Sequence, residues 1–330
     1  MGPAVNELTS FFGLEYDRVL AAVEQGGPRT TGLCWALNSL ENRVYDIELE
    51  DGTRRIAKFY RPGRWSAETI LDEHRMLARL VEEEIPVAAP LPFADGTTLQ
   101  RSAEGIYYAL FPKVGGRAPD ELSTQDLEQL GRLLGRIHNI GARLGLPHRP
   151  GLDPTTYGRD ALAQVLARAR LSPSTERRYG DVALALVDHA ERLFAGVPVS
   201  PIHADFHRGN VLRGREGFVV LDFDDMARGP AAQDLWLVLP ARPAECPDEL
   251  AALLRGYEQF RAFDVGTLRL IEALRGLRYL RYAGWIASRW DDPSFKHAFP
   301  QFDTESYWEG QIADLHEQLR LLAGDGGGGH

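Results

Sequence analysis

The chain has 330 residues, with 44% hydrophobic and 25% charged side chains and a formal net charge of −10. This composition is ordinary for a globular protein, the acidic balance argues against general nucleic-acid binding, and no apolar run approaches the ~20 residues of a transmembrane helix. The first residues lack the cationic and apolar segments of a signal peptide, and two cysteines, Cys34 and Cys246, are too few for a disulfide framework. We therefore expect a cytoplasmic monomer with reduced thiols and no nucleic-acid or membrane partner.

The first third of the chain reads as β-strands around one helix. Alternating apolar and polar residues, followed by the turn signal Asp51-Gly52, predict an antiparallel hairpin. The next helix has Ser66 as its N-cap and apolar residues at three- and four-residue spacing. The predicted elements are strands at 42–49 and 54–60, a helix at 66–83 and a strand at 105–112. We expect residues 1–113 to form a nucleotide-binding N-lobe of one antiparallel sheet plus one helix.

The pattern changes at Val114-Gly115-Gly116, which we interpret as a flexible crossing between two lobes. Helices are predicted at 124–143, 161–169 and 182–194, from 231, from 249 and at 265–288, with a β segment at 218–223. Residues 114–323 would form a larger, mainly helical C-lobe for catalysis and acceptor binding. The glycine-rich residues 324–330 would form a flexible tail. The predicted fold is therefore α+β and bilobal.

The strongest chemical signal is the run HADFHRGN at 203–210, followed twelve residues later by Asp222. The intervening residues read as strand, turn, strand, so a short hairpin would place Asn210 beside Asp222. Amide and carboxylate oxygens suit Mg²⁺, whose other ligands come from substrate phosphates. Asp205 can meet an incoming hydroxyl while Asn210 faces the metal. That division of labour is what γ-phosphoryl transfer needs, and since an ordinary Asp is ionised at pH 7, its role is mainly positional.

This pattern resembles the catalytic loop and metal motif of the aminoglycoside phosphotransferase and choline kinase superfamily, where His-Gly-Asp is followed five residues later by Asn. Ala204 stands in place of that Gly, a small-for-small change. The segments ENRVY, KFYRPGRW, FPKVGGR, GPAAQDLW and a late SYW resemble a branch of bacterial Ser/Thr protein kinases of the stress response. The resemblance runs from about Thr31 to about Tyr307. It implies a kinase that uses ATP and Mg²⁺, with the bilobal protein-kinase-like fold of a small β-rich N-lobe and a large mainly helical C-lobe.

The resemblance also implies roles for N-lobe residues. Lys58, on the second strand of the hairpin, would hold the α- and β-phosphates. Glu73 would pair with Lys58, although Glu68 and Asp72 compete for that role on the sequence alone. Ser39 would meet the phosphates from the turn before the first predicted strand, because that turn has no glycine and cannot form a glycine-rich loop.

In the C-lobe, the resemblance implies that Asp205 and Asp222 are catalytic and that Asn210 and Asp222 bind the metal. For His203 we prefer a structural role as a brace of the loop. For Asp234 we prefer a role as N-cap of the next helix over catalysis. Four aromatic residues near the C-terminus read as core, with a substrate groove as the alternative; they are Tyr279, Tyr282, Trp285 and Trp290.

The acceptor hydroxyl stays open on the sequence. The resemblance implies Ser/Thr of proteins, including the kinase itself, in a bacterial stress response. The alternative is a small-molecule kinase of the aminoglycoside, choline or homoserine type. A cationic small acceptor would need acidic and aromatic residues, and Asp224, Asp225 and Trp236 are candidates. A non-catalytic nucleotide-binding scaffold is disfavoured because the complete set of kinase residues is present.

Overall fold

Two groups of secondary-structure elements follow one another in the computed structural model, which describes residues 5–325. The strands are β1 (Thr30–Leu37), β2 (Arg43–Leu49), β3 (Arg54–Phe59), β4 (Gln100–Arg101), β5 (Tyr107–Pro112), β6 (Ser200–Ile202), β7 (Val211–Arg213), β8 (Phe218–Val220) and β9 (Ala227–Gly229). The α-helices are α1 (Val5–Phe12), α2 (Tyr16–Gln25), α3 (Ala67–Glu82), α4 (Thr124–Leu144), α5 (Asp160–Arg168), α6 (Pro173–Phe194), α7 (Ala232–Trp236), α8 (Pro247–Glu258), α9 (Ile271–Ser288), α10 (Pro293–Ala298) and α11 (Glu305–Asp325). Residues 326–330, which make up most of the predicted flexible tail, lie outside the described part of the chain.

The N-terminal part is built on an antiparallel sheet with strand order β1-β2-β3-β5-β4. The predicted hairpin is confirmed as β2 and β3, in which Val44 pairs with Lys58. The predicted helix is confirmed as α3, where the Ser66 side chain accepts a hydrogen bond from the Thr69 N–H at 3.2 Å. This N-cap fixes where α3 begins, and so which of its residues face the sheet.

The N-lobe has two more helices than the one predicted. Helices α1 and α2 precede the sheet, and Val19 and Val23 of α2 belong to the same buried cluster as Ile47 and Phe59 of the sheet. Helix α3 covers the other face, which carries Lys58. Because α2 begins without a side-chain cap, it lacks the signal that marks α3. Strand β1 was also not predicted, since its side chains are mostly exposed and show no alternation of buried and exposed positions.

The C-terminal part begins with α4, which lies in backbone contact with α8. A Cβ added to Gly131 would lie 2.0 Å from the Leu253 carbonyl oxygen, and one added to Gly256 would lie 1.9 Å from that of Glu128. Glycine is required here by the close approach of the two helices. The surrounding core extends from α3 through α4 to the short strands β6–β9, so both lobes share it. The lobe boundary proposed between residues 113 and 114 falls in the segment between β5 and α4.

The remaining helices form a second core behind the first. Helices α5, α6, α9 and α11 surround buried side chains that include Leu186, Leu277 and Trp308. The predicted mainly helical C-terminal part is confirmed, with the predicted helices present at shifted ends. Helix α11 continues to Asp325, so residues 324 and 325 are helical. None of the helices within residues 5–325 has the length and apolar character that crossing a bilayer requires.

Candidate active site

The segment with the predicted catalytic residues connects β6 to the hairpin β7–β8 through a 3₁₀ turn at Arg208–Asn210. At the open end of the hairpin, the Leu221 N–H donates to the Asn210 carbonyl oxygen at 2.8 Å. The predicted hairpin is therefore confirmed, and it brings Asn210 beside Asp222. Asp222 has φ of +56°, a left-handed conformation that Asp adopts more readily than most residues. Its side chain is 57% exposed.

The carboxylate of Asp205 is held through both oxygens. Arg278 Nη2 lies 2.9 Å from Oδ1, and His207 Nε2 lies 3.3 Å from Oδ2. Asn210 Nδ2 donates to the Asp205 carbonyl oxygen at 3.0 Å and to Oδ2 at 3.3 Å, so the Asn210 amide oxygen faces away from Asp205. Burial raises the pKa of Asp205, but the hydrogen bond from His207 and the charge of Arg278 outweigh it and hold this pKa well below its usual range. The carboxylate is thus oriented and ionised at neutral pH.

His203 braces the catalytic loop, as the sequence predicted. Its Nδ1 accepts a hydrogen bond from the Asp205 N–H at 3.3 Å, and its Nε2 donates to the Leu221 carbonyl oxygen at 2.8 Å. The ring is fully buried, and its centre lies 4.5 Å from that of Phe223. His203 therefore ties the loop of Asp205 to the strand that leads to Asp222.

The prediction that Asp234 caps a helix N-terminus was wrong. Asp234 lies inside α7 and is fully buried. Its two carboxylate oxygens accept hydrogen bonds from the backbone N–H groups of His203, at 2.8 Å, and Ala204, at 2.7 Å, and His138 Nε2 lies 2.9 Å away. Asp234 thus anchors the backbone just before Asp205. Ala204 has φ of +69° there, which explains why the related pattern has glycine at this position.

Lys58 lies in the cleft between the lobes among three carboxylates. Its Nζ is 3.6 Å from Glu73 Oε1, 3.4 Å from Asp222 Oδ1 and 3.3 Å from Asp224 Oδ1. The predicted pairing with Glu73 is present, whereas Glu68 is exposed. Burial alone would lower the pKa of Lys58, but the carboxylates, Asp224 foremost, raise it well above its usual value. Burial also raises the pKa of Glu73, and the Lys58 charge offsets this only in part.

A cleft of about 510 Å³ opens beside Lys58. More than half of its lining residues are apolar, and they are Leu37, Val44, Ile56, Leu77, Ala88, Phe111, Pro112, Val114, Leu221 and Phe223. The polar lining residues are Asn38, Ser39, Asn42, Asp46, Lys58, Glu73, Lys113 and Asp222. Ser39 lies in the turn between β1 and β2, as predicted for the turn before the first predicted strand. An apolar slot beside charged and hydroxyl groups has the character of a nucleotide site.

Asp224 is neither a solvated turn residue nor a ligand for a cationic substrate. It is 3% exposed. It accepts a hydrogen bond from Asn42 Nδ2 at 3.1 Å and forms ion pairs with Arg64 and Lys58. Burial raises the pKa of Asp224, but Arg64 and Lys58 outweigh it and hold the pKa well below its usual range. Arg64 also pairs with Asp225 at 2.5 Å.

A second pocket, of about 200 Å³, lies on the other side of the 3₁₀ turn Phe223–Asp225 and contains Asp205. Its other lining residues are Tyr157, Ala204, Asp225, Arg278, Arg281, Tyr282 and Trp285. Trp285 and Trp290 pack against the second core, as the core interpretation predicted, and Trp285 also lines this pocket. Tyr279 and Tyr282 are exposed, so the core interpretation was wrong for them, and Tyr282 lies at the pocket instead. Trp236, the aromatic residue expected near a cationic acceptor, instead stacks against Arg275 at 4.9 Å.

The residues present fit a magnesium ion carried by a nucleotide. Asp222 has a largely exposed carboxylate, and the amide oxygen of Asn210 faces away from Asp205. Both are hard oxygen donors next to the cleft. Within residues 5–325, no group of three or more His, Cys, Asp or Glu is arranged to hold a metal by itself. This donor set suits Mg²⁺, which keeps few protein ligands and takes the rest from phosphates and water.

Comparison with protein-family models gives a match over residues 36–277 to the phosphotransferase enzyme family. The chain belongs to this family. It is 37% identical over 324 residues to "Stress response kinase A" of Escherichia coli strain K12, with 96% of each chain covered. It is 39% identical over 307 residues to "Serine/threonine protein kinase RdoA" of Salmonella typhimurium strain LT2, with 92% of this chain and 91% of the relative covered. The predicted membership of the superfamily and the predicted kinase class are confirmed.

Two solved kinase structures share the fold. The structure described as an amicoumacin kinase in complex with AMP-PNP, Ca²⁺ and Ami has a TM-score of 0.71 at 18% identity, and the match covers 92% of this chain and 93% of that one. A microcompartment-associated aminopropanol kinase has a TM-score of 0.66 at 20% identity and covers 92% and 95%. These likenesses confirm the predicted α+β, bilobal kinase-like fold.

Three site residues escaped the sequence analysis. Arg64 forms an ion pair with Asp224 of the 3₁₀ turn Phe223–Asp225, and Arg278 and Arg281 line the pocket of Asp205. No short motif contains them together with the catalytic loop. One signal was available: α9 carries two arginines and two aromatic residues at positions 278, 281, 282 and 285, a spacing that places all four on one helix face.

Proposed function

We propose that the protein transfers the γ-phosphoryl group of Mg-ATP to Ser or Thr hydroxyls of proteins, including its own. The observation that carries the proposal is the convergence of two sets of residues on one 3₁₀ turn. Lys58, Glu73 and Asp222 lie at the cleft on one side, and Asp205 lies in the pocket on the other. A phosphoryl group leaving the cleft toward the pocket would meet a hydroxyl held by Asp205.

On the nucleotide side, the apolar wall of the cleft would receive the adenine ring. Lys58, kept cationic by its three carboxylate neighbours, would bind the α- and β-phosphates, and Ser39 would add a hydroxyl donor. Asn210 and Asp222 would hold Mg²⁺, which neutralises charge on the phosphates. Glu73, whose Oε1 lies 3.6 Å from Lys58 Nζ, would keep Lys58 in position while Asp222 binds the metal.

On the acceptor side, Asp205 would orient the hydroxyl and take its proton. The hydroxyl oxygen forms a bond to the γ-phosphorus, the bond from that phosphorus to the β,γ-bridging oxygen breaks, and ADP leaves with the electron pair. Because the pKa of Asp205 is held low, the carboxylate is a weak base and accepts the proton late, so its main contribution is positional.

The names of the relatives support a protein acceptor, and two of them are called a stress response kinase and a serine/threonine protein kinase. By this proposal the enzyme acts in a bacterial stress response, in the cytoplasm. It would work as a monomer, since both the cleft and the pocket are formed within one chain. The alternative is a small hydroxyl compound, which the pocket of about 200 Å³ could also receive.

The test is incubation of the purified protein with γ-labelled ATP and Mg²⁺, with and without a generic protein substrate. We expect label on the kinase and on the substrate, and none when Mg²⁺ is chelated. The Asp205→Ala variant controls for a contaminating kinase. Turnover of a small alcohol without label on any protein would overturn the protein-kinase proposal and leave the phosphotransferase class intact.

A further inference from the structure

The pocket around Asp205 holds two arginines and two carboxylates. Arg278 is paired with Asp205 at 2.9 Å, and Asp225 is paired with Arg64 at 2.5 Å. Arg281 is the remaining charge, and within residues 5–325 no carboxylate lies within ion-pair distance of it. Its guanidinium stacks on the ring of Tyr157, with the carbon at its centre 5.3 Å from the ring centroid. Arg281 is therefore the charged side chain of the pocket lining that has no ion-pair partner among the described residues.

The surroundings of Arg281 keep its guanidinium in place. Tyr157 supports one face, and Arg281 lies three positions after Arg278, so both arginines project from the same face of α9. Tyr282 and Trp285 extend this face, with their ring centres 5.5 Å apart. A planar guanidinium supported by an aromatic ring suits a carboxylate, which it can bind through two parallel hydrogen bonds.

We propose that Arg281 recognises an acidic side chain of the acceptor, so that the preferred substrate is a Ser or Thr flanked by Asp or Glu. This inference rests on the proposed function and names the substrate class of that same site. It disfavours cationic acceptors such as aminoglycosides and choline, because Arg281, which has no ion-pair partner among the described residues, repels a cation beside it. The carboxylate binds Arg281 while the hydroxyl lies at Asp205, and Tyr282 and Trp285 pack against the intervening chain.

The experiment compares three peptides with one Ser and flanking residues that differ only in charge: Glu, Gln or Lys. For the wild-type enzyme we expect kcat/KM to be about tenfold higher for the Glu peptide than for the Gln peptide, the effect of one charge-assisted hydrogen bond. The difference should lie in KM and should shrink as ionic strength rises. A small hydroxy acid, glycerate, serves as a further acceptor that carries the same carboxylate without a peptide chain.

Two variants assign the selectivity to Arg281. Arg281→Gln should remove the preference for Glu, whereas Arg281→Glu should reverse it in favour of the Lys peptide. A gain of activity on the Lys peptide cannot result from misfolding, so the reversal separates recognition from structural damage. The matched control is Arg255→Gln on α8, where the side chain is 60% exposed and lies outside both pockets.

The outcomes distinguish a failure of the Arg281 inference from a failure of the proposed function. Equal use of all three peptides by the wild type, or a Glu preference that survives in Arg281→Gln, overturns the inference and leaves the protein-kinase function standing. A raised KM for ATP in Arg281→Gln with unchanged peptide preference also overturns it, because Arg281 would then bind the nucleotide. Turnover of glycerate without phosphorylation of any peptide or protein overturns the proposed function itself, with the carboxylate chemistry retained.

Discussion

The cleft and the pocket on the two sides of the Phe223–Asp225 turn differ in whether their cationic side chains have ion-pair partners. In the cleft, Lys58 is surrounded by three carboxylates and its charge is paired. In the pocket, Arg281 has no carboxylate partner among residues 5–325. By the proposed function the cleft would receive the nucleotide, while the unpaired Arg281 of the pocket would select the acceptor.

The two regions also come from different parts of the chain. The cleft is assembled mainly from β2, β3, β5, α3, the turn between β1 and β2 and the segment that follows β8, whereas the distinctive wall of the pocket is α9. A fold can therefore keep its nucleotide chemistry while one helix face changes the acceptor. The predictions for Asp205, Asp222, Glu73 and His207 test whether the two sides are separable.

The largest effect is expected for Asp205→Ala. We predict a loss of about 10³-fold in kcat, because the group that orients the hydroxyl and takes its proton is removed. Nucleotide affinity should be unchanged, since Asp205 does not line the cleft. The measurements are transfer of labelled phosphate and calorimetric titration with Mg-ATP.

The paired variant Asp222→Ala should lose the magnesium-dependent part of nucleotide binding. The informative result is the difference in Mg-ATP affinity between the two variants. If Asp205→Ala weakens nucleotide binding as strongly as Asp222→Ala does, the cleft and the pocket are one coupled site and the comparison fails. If both variants bind Mg-ATP normally, the metal assignment of Asp222 is wrong.

The sequence was informative for the cleft because its determinants are local. Lys58 lies between apolar residues in the second strand of a predicted hairpin, Asn210 and Asp222 flank a short hairpin, and each can be placed without knowing the tertiary structure. Arg278 and Arg281 could not be placed in this way, because their position depends on how α9 packs against α5 and α6. A helix that shows apolar residues and arginines on several faces does not reveal which face meets the active site.

The role of Asp234 shows a second limit. An Asp within three positions of a helix start commonly caps that helix, and this local rule predicted the wrong partner. The actual partners, His203 and Ala204, lie in the catalytic loop, and only the fold brings them within 3 Å of the carboxylate. The signal was indirect: a loop with a left-handed residue before Asp205 needs acceptors for its backbone N–H groups.

We therefore predict that Asp234→Ala destabilises the protein by about 3 kcal/mol. The substitution leaves two buried backbone N–H groups and the His138 ring without their acceptor. Urea unfolding measures the change. Asp248→Ala, an exposed position on α8, is the control and should alter the free energy of unfolding by less than ~0.5 kcal/mol. A small effect at Asp234 would mean that the catalytic loop holds its shape by other contacts.

A smaller effect is expected for Glu73→Gln. Lys58 keeps Asp222 and Asp224 within 3.4 Å, so its charge stays compensated and only its position is loosened. We predict a fall of about tenfold in kcat/KM for ATP, comparable to the loss of one charged hydrogen bond. The amide should not lower stability, because burial already disfavours the charged form of Glu73. The control is Glu68→Gln on the exposed face of α3, and equal effects of both variants would exclude the Lys58–Glu73 pair from nucleotide binding.

The smallest effect at neutral pH is expected for His207→Ala, which acts on the pocket side alone. Removing the His207 hydrogen bond takes away a contribution that lowers the pKa of Asp205, so this pKa rises. Arg278 still lowers the pKa, so the carboxyl stays ionised at pH 7, and kcat there should fall by less than about threefold.

The difference between the variant and the wild type appears at acidic pH. For the wild type, the stabilisation from ionised Asp205 is present above its unfolded pKa of ~3.9 and is lost only as pH falls through the lower folded value. In the variant, kcat should therefore decline at a higher pH than in the wild type. Profiles of kcat from pH 7 to below the ordinary Asp pKa of ~3.9, with circular dichroism to verify folding, measure the shift. His316→Ala, at an exposed position of α11, should leave the profile unchanged. Identical profiles for His207→Ala and the wild type would show that Arg278 alone sets the ionisation of Asp205.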